Sequence, residues 1–448
     1  MTAHKVLSQF SQKSLLIVAL AFLANPASAQ FGVYMSASGA VNRGMGGAST
    51  AAPLSPAGAL YWNPATISGL EKSELEFGAE LLLPRTQLAS NYSAGALGPG
   101  IPPVTLSGQQ DSDIGAIPMP TIGLVYKPED SILSYGLGIF AVAGFGVDYS
   151  GSFTNPIATA PPPVGLGFGP AHSDYEVLQI APAINLQLSD RLSVAAGPTL
   201  NIAKLSVNPA LFGVPDDARG DGFATYPQGT HSQTTWGGGF NVGAYYHQDV
   251  WGFGASFKSP QWFDKFRFNS SDELGRPREL TFDLDLPMVV SVGTAYSGLE
   301  RWVFALDGRY MDYRNTNGFG DRGFTDAGSL RGLGFRSIFA AAVGAQYQVC
   351  DTVFLRLGYS WSDNPIPNDQ AVINALSPVI IQHMLSLGAS WQVTPDFKLS
   401  MAYVHGFENS VEGPLVTPAG PVPGTAVRDR TWGDIFSIGG SVTFGAKN

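Results

Sequence analysis

The side chains with the clearest capacity for chemistry lie in the second half of the chain, where Trp262, Phe263, Phe266 and Phe268 stand among Lys258, Lys265 and Arg267 within eleven positions. Apolar rings exclude water and a nearby cation pairs with acid, so the pattern fits capture of an apolar molecule that ends in a carboxylate. At a membrane rim the same residues would instead neutralise lipid phosphates and form an interfacial aromatic belt, and the sequence leaves both readings open. Pro209, Ala210, Leu211, Phe212 and Val214, with the nearly chargeless stretch from Pro156 to Pro170, add apolar loop surface of the kind that marks a binding site. Catalysis is not supported. The histidines beyond residue 30, His172, His231, His247, His383 and His405, show no metal-ligand spacing, and neither a Gly-x-Ser-x-Gly elbow nor a phosphate-binding glycine loop occurs. His383 lies near Ser386, but nothing positions a third group. We expect no enzymatic activity, no cofactor and no metal.

The elements that must carry these residues are constrained by composition. Charged residues make up 13% of the 448 positions, where a soluble chain carries about 25%, and 54 are glycine. The longest uncharged apolar run, Leu15 to Leu23, is far too short for the roughly 20 residues of a spanning helix. Lys5 and Lys13 precede that run and Ala27-Ser28-Ala29 follows it, the pattern of a cleaved export signal over residues 1–29. Its removal takes the formal charge from −10 to −12, which argues against a nucleic-acid partner. A single cysteine, Cys350, excludes a disulfide framework and a cysteine-built metal site.

Period two dominates the remainder. Trp251, Phe253, Ala255 and Phe257 alternate with Gly252, Gly254, Ser256 and Lys258; Leu385, Leu387, Ala389 and Trp391 alternate with Ser386, Gly388 and Ser390. Fourteen such strands are expected, at 73–83, 118–126, 134–144, 176–188, 191–204, 235–247, 250–258, 283–297, 301–313, 337–349, 352–361, 382–394, 397–407 and 432–444. Short turns such as Ser189-Asp190 and Pro395-Asp396 alternate with seven long connections, the asymmetry of short periplasmic turns and long outer loops. The expected fold is all-β: a transmembrane antiparallel β-barrel over residues 73–448 in the bacterial outer membrane. A soluble sandwich would need a charged outer face, and a propeller would need blade repeats; neither is present. Glu74, Glu76 and Glu80, Asp307 and Arg309, and Arg356 fall on the polar face and are expected to form a lumen network, with Arg309 or Arg356 also able to meet a carboxylate.

Residues 30–72 lack strand alternation yet are too apolar for a solvated tail. A plug folded into the lumen is the simplest reading, with a periplasmic extension as the alternative. Ser38-Gly39, Gly44, Gly46, Ala48 and Asn63-Pro64-Ala65 in this stretch resemble the N-terminal hatch of the FadL/TodX-type (OMPP1/FadL/TodX) outer-membrane transporters of long-chain fatty acids and other hydrophobic compounds. Ser256-Phe257-Lys258-Ser259, Leu286-Pro287, Asp363-Asn364-Pro365-Ile366-Pro367 and Tyr403-Val404-His405-Gly406 with Glu412-Gly413-Pro414 resemble further motifs of that family in order, and together they cover most of the chain. The chain departs from the family at its end, where the terminal aromatic, Phe444, is followed by Gly445-Ala446-Lys447-Asn448.

The resemblance implies capture of a hydrophobic ligand by the outer loops, passage to a pocket closed below by the hatch, and sideways exit by passive diffusion through a kink in the third strand. Here that strand runs into Gly144-Phe145-Gly146, whose glycines permit a break in the ladder. An ordinary strand end is the alternative. Expected partners are outer-membrane lipid and lipopolysaccharide, the hydrophobic ligand and the barrel assembly machinery, with the chain a monomer. The competing functions are a porin for small polar solutes, which a plug and apolar loops disfavour, and a surface adhesin or phage receptor using the long loops, which a binding assay with detergent and fatty acid competitors would separate.

Overall fold

The computed structural model describes residues 30–98 and 104–445, so the expected export signal with Lys5, Lys13 and Ala27-Ser28-Ala29, and Ala446-Lys447-Asn448 at the other end, lie outside the described residues. Each segment expected from the alternation forms a strand: β1 Ser73–Tyr92, β2 Ile117–Tyr126, β3 Leu133–Tyr149, β4 Ala171–Gln187, β5 Leu192–Asn208, β6 Gly229–Gln248, β7 Trp251–Lys258, β8 Val289–Tyr296, β9 Trp302–Met311, β10 Ile338–Cys350, β11 Val353–Ser362, β12 His383–Thr394, β13 Phe397–Gly413 and β14 Thr425–Phe444. Each pairs antiparallel with the next, and β14 closes the ring on β1 from Thr425↔Tyr92 to Phe444↔Ser73. Closure is obligatory in lipid, where a free sheet edge would find no hydrogen-bond partner.

Several strands outrun the alternation, all on the long-loop side. β1 continues to Tyr92 and β14 begins at Thr425, each 20 residues long. At ~3.3 Å per residue such a strand spans about 66 Å, more than twice the ~30 Å hydrocarbon layer. Above the lipid the outward face is released from the apolar requirement, and there β13 and β14 carry Glu408, Glu412, Arg428 and Arg430, all with partly or fully exposed side chains.

Within the lipid the wall is inverted relative to a soluble fold. Phe77, Leu81, Phe253, Leu306, Leu357 and Phe436 are exposed, while Glu76, Glu80, Ser256, Asp307, Ser360 and Ser437 are buried. The inward groups are buried because residues 30–70 fill the lumen. This hatch consists of a small hairpin (Gln30–Phe31 with Tyr34–Met35), α1 Ala40–Gly44, α2 Pro56–Trp62 and a 3-10 turn Pro64–Gly69. Local chemistry fixes its turns. The Ser55 hydroxyl accepts from Gly58 N–H at 3.4 Å to start α2, with Pro56 in the first turn, and the Asn63 side-chain carbonyl accepts from Ala65 N–H at 3.1 Å to start the next.

Candidate functional site

The charges expected on the lumen face fasten the hatch to the wall. Arg43 of α1 donates to Glu80 of β1 at 2.5 Å, and Gly39 N–H donates to the same carboxylate at 2.7 Å. Glu76 accepts from Ala57 N–H at 2.8 Å, at the start of α2. Asp307 of β9 accepts from Ser49 N–H at 2.8 Å, Thr50 N–H at 2.9 Å and Arg309 at 2.6 Å. Arg309 also donates to the Gly47 carbonyl at 2.8 Å and lies 3.8 Å from the Trp62 ring centroid. Arg356 behaves differently, bonding Gln346 at 2.8 Å and Ser390 at 2.6 Å within the wall. The sequence reading overlooked Arg43, although it is the sole charged residue between positions 30 and 70 and therefore had to find an acid.

The hatch residues singled out by the resemblance lie against the wall or in the turns beside it. Gly44 passes so close to β12 that a Cβ there would lie 3.0 Å from Gly388 Cα. Gly46 has φ +66°, and a Cβ on it would lie 2.8 Å from the Tyr359 amide nitrogen. Asn63 donates to the Thr50 carbonyl at 2.8 Å and to the Ala244 carbonyl of β6 at 3.0 Å. Pro64 opens the following turn, and the Ala65 carbonyl accepts from Asn185 of β4 at 3.2 Å.

At one seam in the ring two neighbouring strands part company well before their ends. β2 and β3 pair only from Thr121↔Phe140 to Tyr126↔Tyr135, although β3 runs on to Tyr149 against β4. The break falls at Val142, where the β3–β4 register shifts between Ala141 and Ala143. The hatch takes up the freed edge: Tyr34 pairs with Ala143, Gly144 N–H donates to the Val33 carbonyl at 3.0 Å, and Gln30 donates to the Gly144 carbonyl at 3.0 Å. The glycines expected to make the break lie just beyond it and serve close passage instead. A Cβ on Gly144 would meet Tyr175 O at 2.7 Å, and one on Gly146 would meet Ile114 Cδ1 at 2.5 Å.

Across the seam, β2 carries Pro118 and Pro120, which pair with Leu81 and Ala79 of β1. A proline can occupy only a non-hydrogen-bonded position of an antiparallel pair, so the backbone of both residues turns toward β3, where each lacks its N–H. That doublet was a readable signal of an interrupted ladder. Between the two edges lies a cavity of about 140 Å³, lined by Leu82, Ile117, Met119, Ala141, Phe145 and Val177, with Thr86 and Thr431 on one wall and Gln30 and Met35 at the hatch.

Phe145 also borders a second pocket, of about 50 Å³, beneath the long loops, where Leu205, Val207, Phe212, Phe282, Leu330 and Ile373 leave an almost wholly apolar lining. Phe212 stacks on Phe282 at 4.7 Å and packs against Phe268 at 5.2 Å, and Phe266 lies edge-on to Tyr175 at 6.2 Å. The cations between these rings face the other way. Arg267 pairs with Glu279 at 3.0 Å and Lys265 with Asp283 at 2.9 Å, all four exposed on a hairpin of Phe266–Ser271 with Pro277–Phe282. Trp262 is exposed and Phe263 half-buried where they pair with β6. Lys258 alone turns inward, buried 5.0 Å from the Tyr61 ring centroid. The compact sequence cluster is thus divided, because alternation sends neighbouring residues to opposite faces. Among the described residues no group of histidine, cysteine, aspartate or glutamate is arranged to hold a metal.

A profile of the family described as outer membrane protein transport protein (OMPP1/FadL/TodX) matches residues 18–414. Among solved structures, the chain is similar to the P. putida toluene transporter TodX, with 18% identity and a TM-score of 0.69 over 92% of this chain and 100% of that one. A Pseudomonas aeruginosa FadL homologue gives the same values, and the Ralstonia pickettii toluene transporter TbuX gives 18% identity and 0.66 over 92% and 99%. At this identity the likeness speaks for the fold. No curated protein matches the chain.

Proposed function

The chain belongs to the outer membrane protein transport protein family (OMPP1/FadL/TodX), a family of bacterial outer-membrane transporters rather than enzymes, and from that premise we propose that it admits hydrophobic compounds by passive diffusion and releases them sideways through the β2–β3 seam. One observation carries the reading: the cavity lies where the ladder between β2 and β3 stops, and its lining is mainly apolar. An apolar molecule leaving through the wall enters lipid without crossing water, so no step needs an energy source.

On this reading the loops collect the ligand on Phe212, Phe266 and Phe268. It then passes Phe145, which borders both pockets, and the hatch denies it the straight route to the periplasm. The structural neighbours, two toluene transporters and a FadL homologue, support an apolar cargo. The ring closes between β14 and β1, so neither terminal strand offers an unpaired edge to a second copy, in keeping with a monomer. Ala141→Trp tests the route, because its ring would occupy the cavity from β3. Cells carrying it should take up labelled toluene and dodecanoate at least about tenfold more slowly, at unchanged barrel content measured by heat-modifiable mobility. Unaltered uptake of both compounds would remove the lateral path.

A further inference from the structure

The cavity at the seam is mainly apolar, yet one polar group without a partner lines it and others lie above it. Thr431 of β14 lines it, opposite Thr86 of β1, and the Thr431 hydroxyl has no hydrogen-bond partner. Two residues further along the same inward face, about 6.7 Å up the strand, is Asp429. It is completely buried, and neither carboxylate oxygen has a partner. Its cross-strand neighbours are apolar, Leu88 on β1 and Val411 on β13. The arginines flanking it in sequence do not compensate it. Arg428 lies 4.0 Å from Glu412 and Arg430 lies 2.5 Å from Glu408, on the outward face.

Two more groups close the site. Tyr149, at the end of β3, is fully buried in the same apolar cluster as Leu88 and Val427, and its hydroxyl has no partner. Gln110, directly opposite Leu88 on the short strand Leu106–Asp111, has an unpaired amide nitrogen. A buried carboxylate is ordinarily paired, because withdrawing it from water without a partner is strongly unfavourable. The Asp429 oxygens and the two hydroxyls can accept, while the hydroxyls and the Gln110 amide can donate; beside an apolar cavity the unpaired carboxylate has the form of a subsite for a donor-bearing head group. A ligand carboxylate would find donors in the hydroxyls and the amide but would bring a second negative charge to Asp429.

We infer that Asp429, with Thr431 and Tyr149, forms a head-group subsite above the seam cavity, entered past Thr431, selecting apolar molecules that end in a hydrogen-bond donor, an amine or a hydroxyl, over carboxylates. This rests on the transport reading above and narrows its substrate class. The separation of the two exposed cations, Lys265 and Arg267, from the buried aromatics agrees with it, since neither is placed to receive an acid beside those rings.

The test uses the purified barrel in amphipol and four labelled probes of equal chain length: dodecylamine, dodecanol, dodecanoate and dodecane. The native protein should bind the amine and the alcohol about tenfold or more tightly than the carboxylate. Asp429→Leu should abolish that preference and leave dodecane unchanged. Asp429→Asn, which keeps the shape and one acceptor, serves if the leucine variant does not fold; it should weaken the amine about tenfold and the alcohol little. Dodecanoate binding natively as tightly as the amine, or amine affinity unaltered in the variants, would overturn the subsite while leaving the transport reading intact. Failure of all four probes to bind the native protein would overturn the transport reading itself, and the subsite with it.

Discussion

Asp307 on β9 receives the backbone amide of Thr50 at 2.9 Å and the Thr50 hydroxyl at 2.8 Å, so a carboxylate in the barrel wall closes a turn of the hatch from outside. The same carboxylate neutralises Arg309, whose side chain is wholly buried. Wall and hatch therefore share one electrostatic unit. Asp307→Ala would remove the carboxylate from a buried guanidinium and from three hatch donors, a loss of about 3–5 kcal/mol by comparison with other broken buried pairs. We expect the variant to lose heat-modifiable mobility at a lower temperature than the native barrel, and an unchanged transition would refute the coupling.

Gly46 offers a second handle on the hatch. Its φ of +66° disfavours any side chain, and the nearest atom to a Cβ would be the Tyr359 amide nitrogen at 2.8 Å, which belongs to a paired strand and cannot yield cheaply. Gly46→Val should displace the hatch while sparing the ladder. Conductance to small ions in planar bilayers should rise, and trypsin should gain access to Arg43, which is buried in the native lumen. Conductance and cleavage both at native levels would show that the hatch tolerates the side chain and that closure does not depend on this contact.

The alternation made the fourteen barrel strands legible because lipid outside and a polar lumen inside impose opposite demands on successive residues, as at Phe253 and Ser256. That signal fades where β1 and β14 rise above the lipid, and the expected bounds stop short there. The lumen charges were legible as inward-facing, but their partners were not, since Asp307 and Thr50 are 257 positions apart. The loop cluster misled by proximity: Phe266 and Arg267 are adjacent in sequence and face opposite ways. The seam was expected at glycines because glycine permits breaks. On the β2 side the residues facing the gap are Pro118 and Pro120, which have no N–H to give to a ladder.

The exposed ion pairs of the loop hairpin yield a negative prediction. Lys265 and Arg267 are more than half exposed and already paired with Asp283 and Glu279, so such contacts contribute about 0–1 kcal/mol at most. Replacing both with glutamine should leave retention of dodecanoate and of its methyl ester unchanged within about twofold. Phe212→Asp, by contrast, sets a charge between two stacked rings and should weaken both ligands strongly. Selective loss of the acid in the double glutamine variant would restore these cations as a carboxylate site.

Orientation can be checked at the connections. Asp272 begins the turn of the loop hairpin between β7 and β8, whereas Asp190 and Asp396 sit in the short turns between β4 and β5 and between β12 and β13. Epitope tags at Asp272 should be labelled on intact cells and tags at Asp190 or Asp396 should not. Labelling at Asp190 would turn the barrel over.

The last prediction concerns what keeps the seam open. Opposite the seam, β3 can pair with β4 or with the hatch but not with β2, and on the β2 edge the two prolines withhold the donors a ladder requires. Changing Pro118 and Pro120 to valine would return both N–H groups and favour an extended, β-branched edge. If donor loss maintains the gap, the new amides should bond toward Ala141 and Ala143, exchange slowly with deuterium, and reduce uptake of apolar compounds several-fold. The thermal transition should rise, because each bond formed in a dry site adds about 0.5–1.5 kcal/mol. Rapid exchange of both amides with native uptake would mean that the Val142 bulge and the docked Tyr34 hold the strands apart unaided, and that the prolines only follow from the gap.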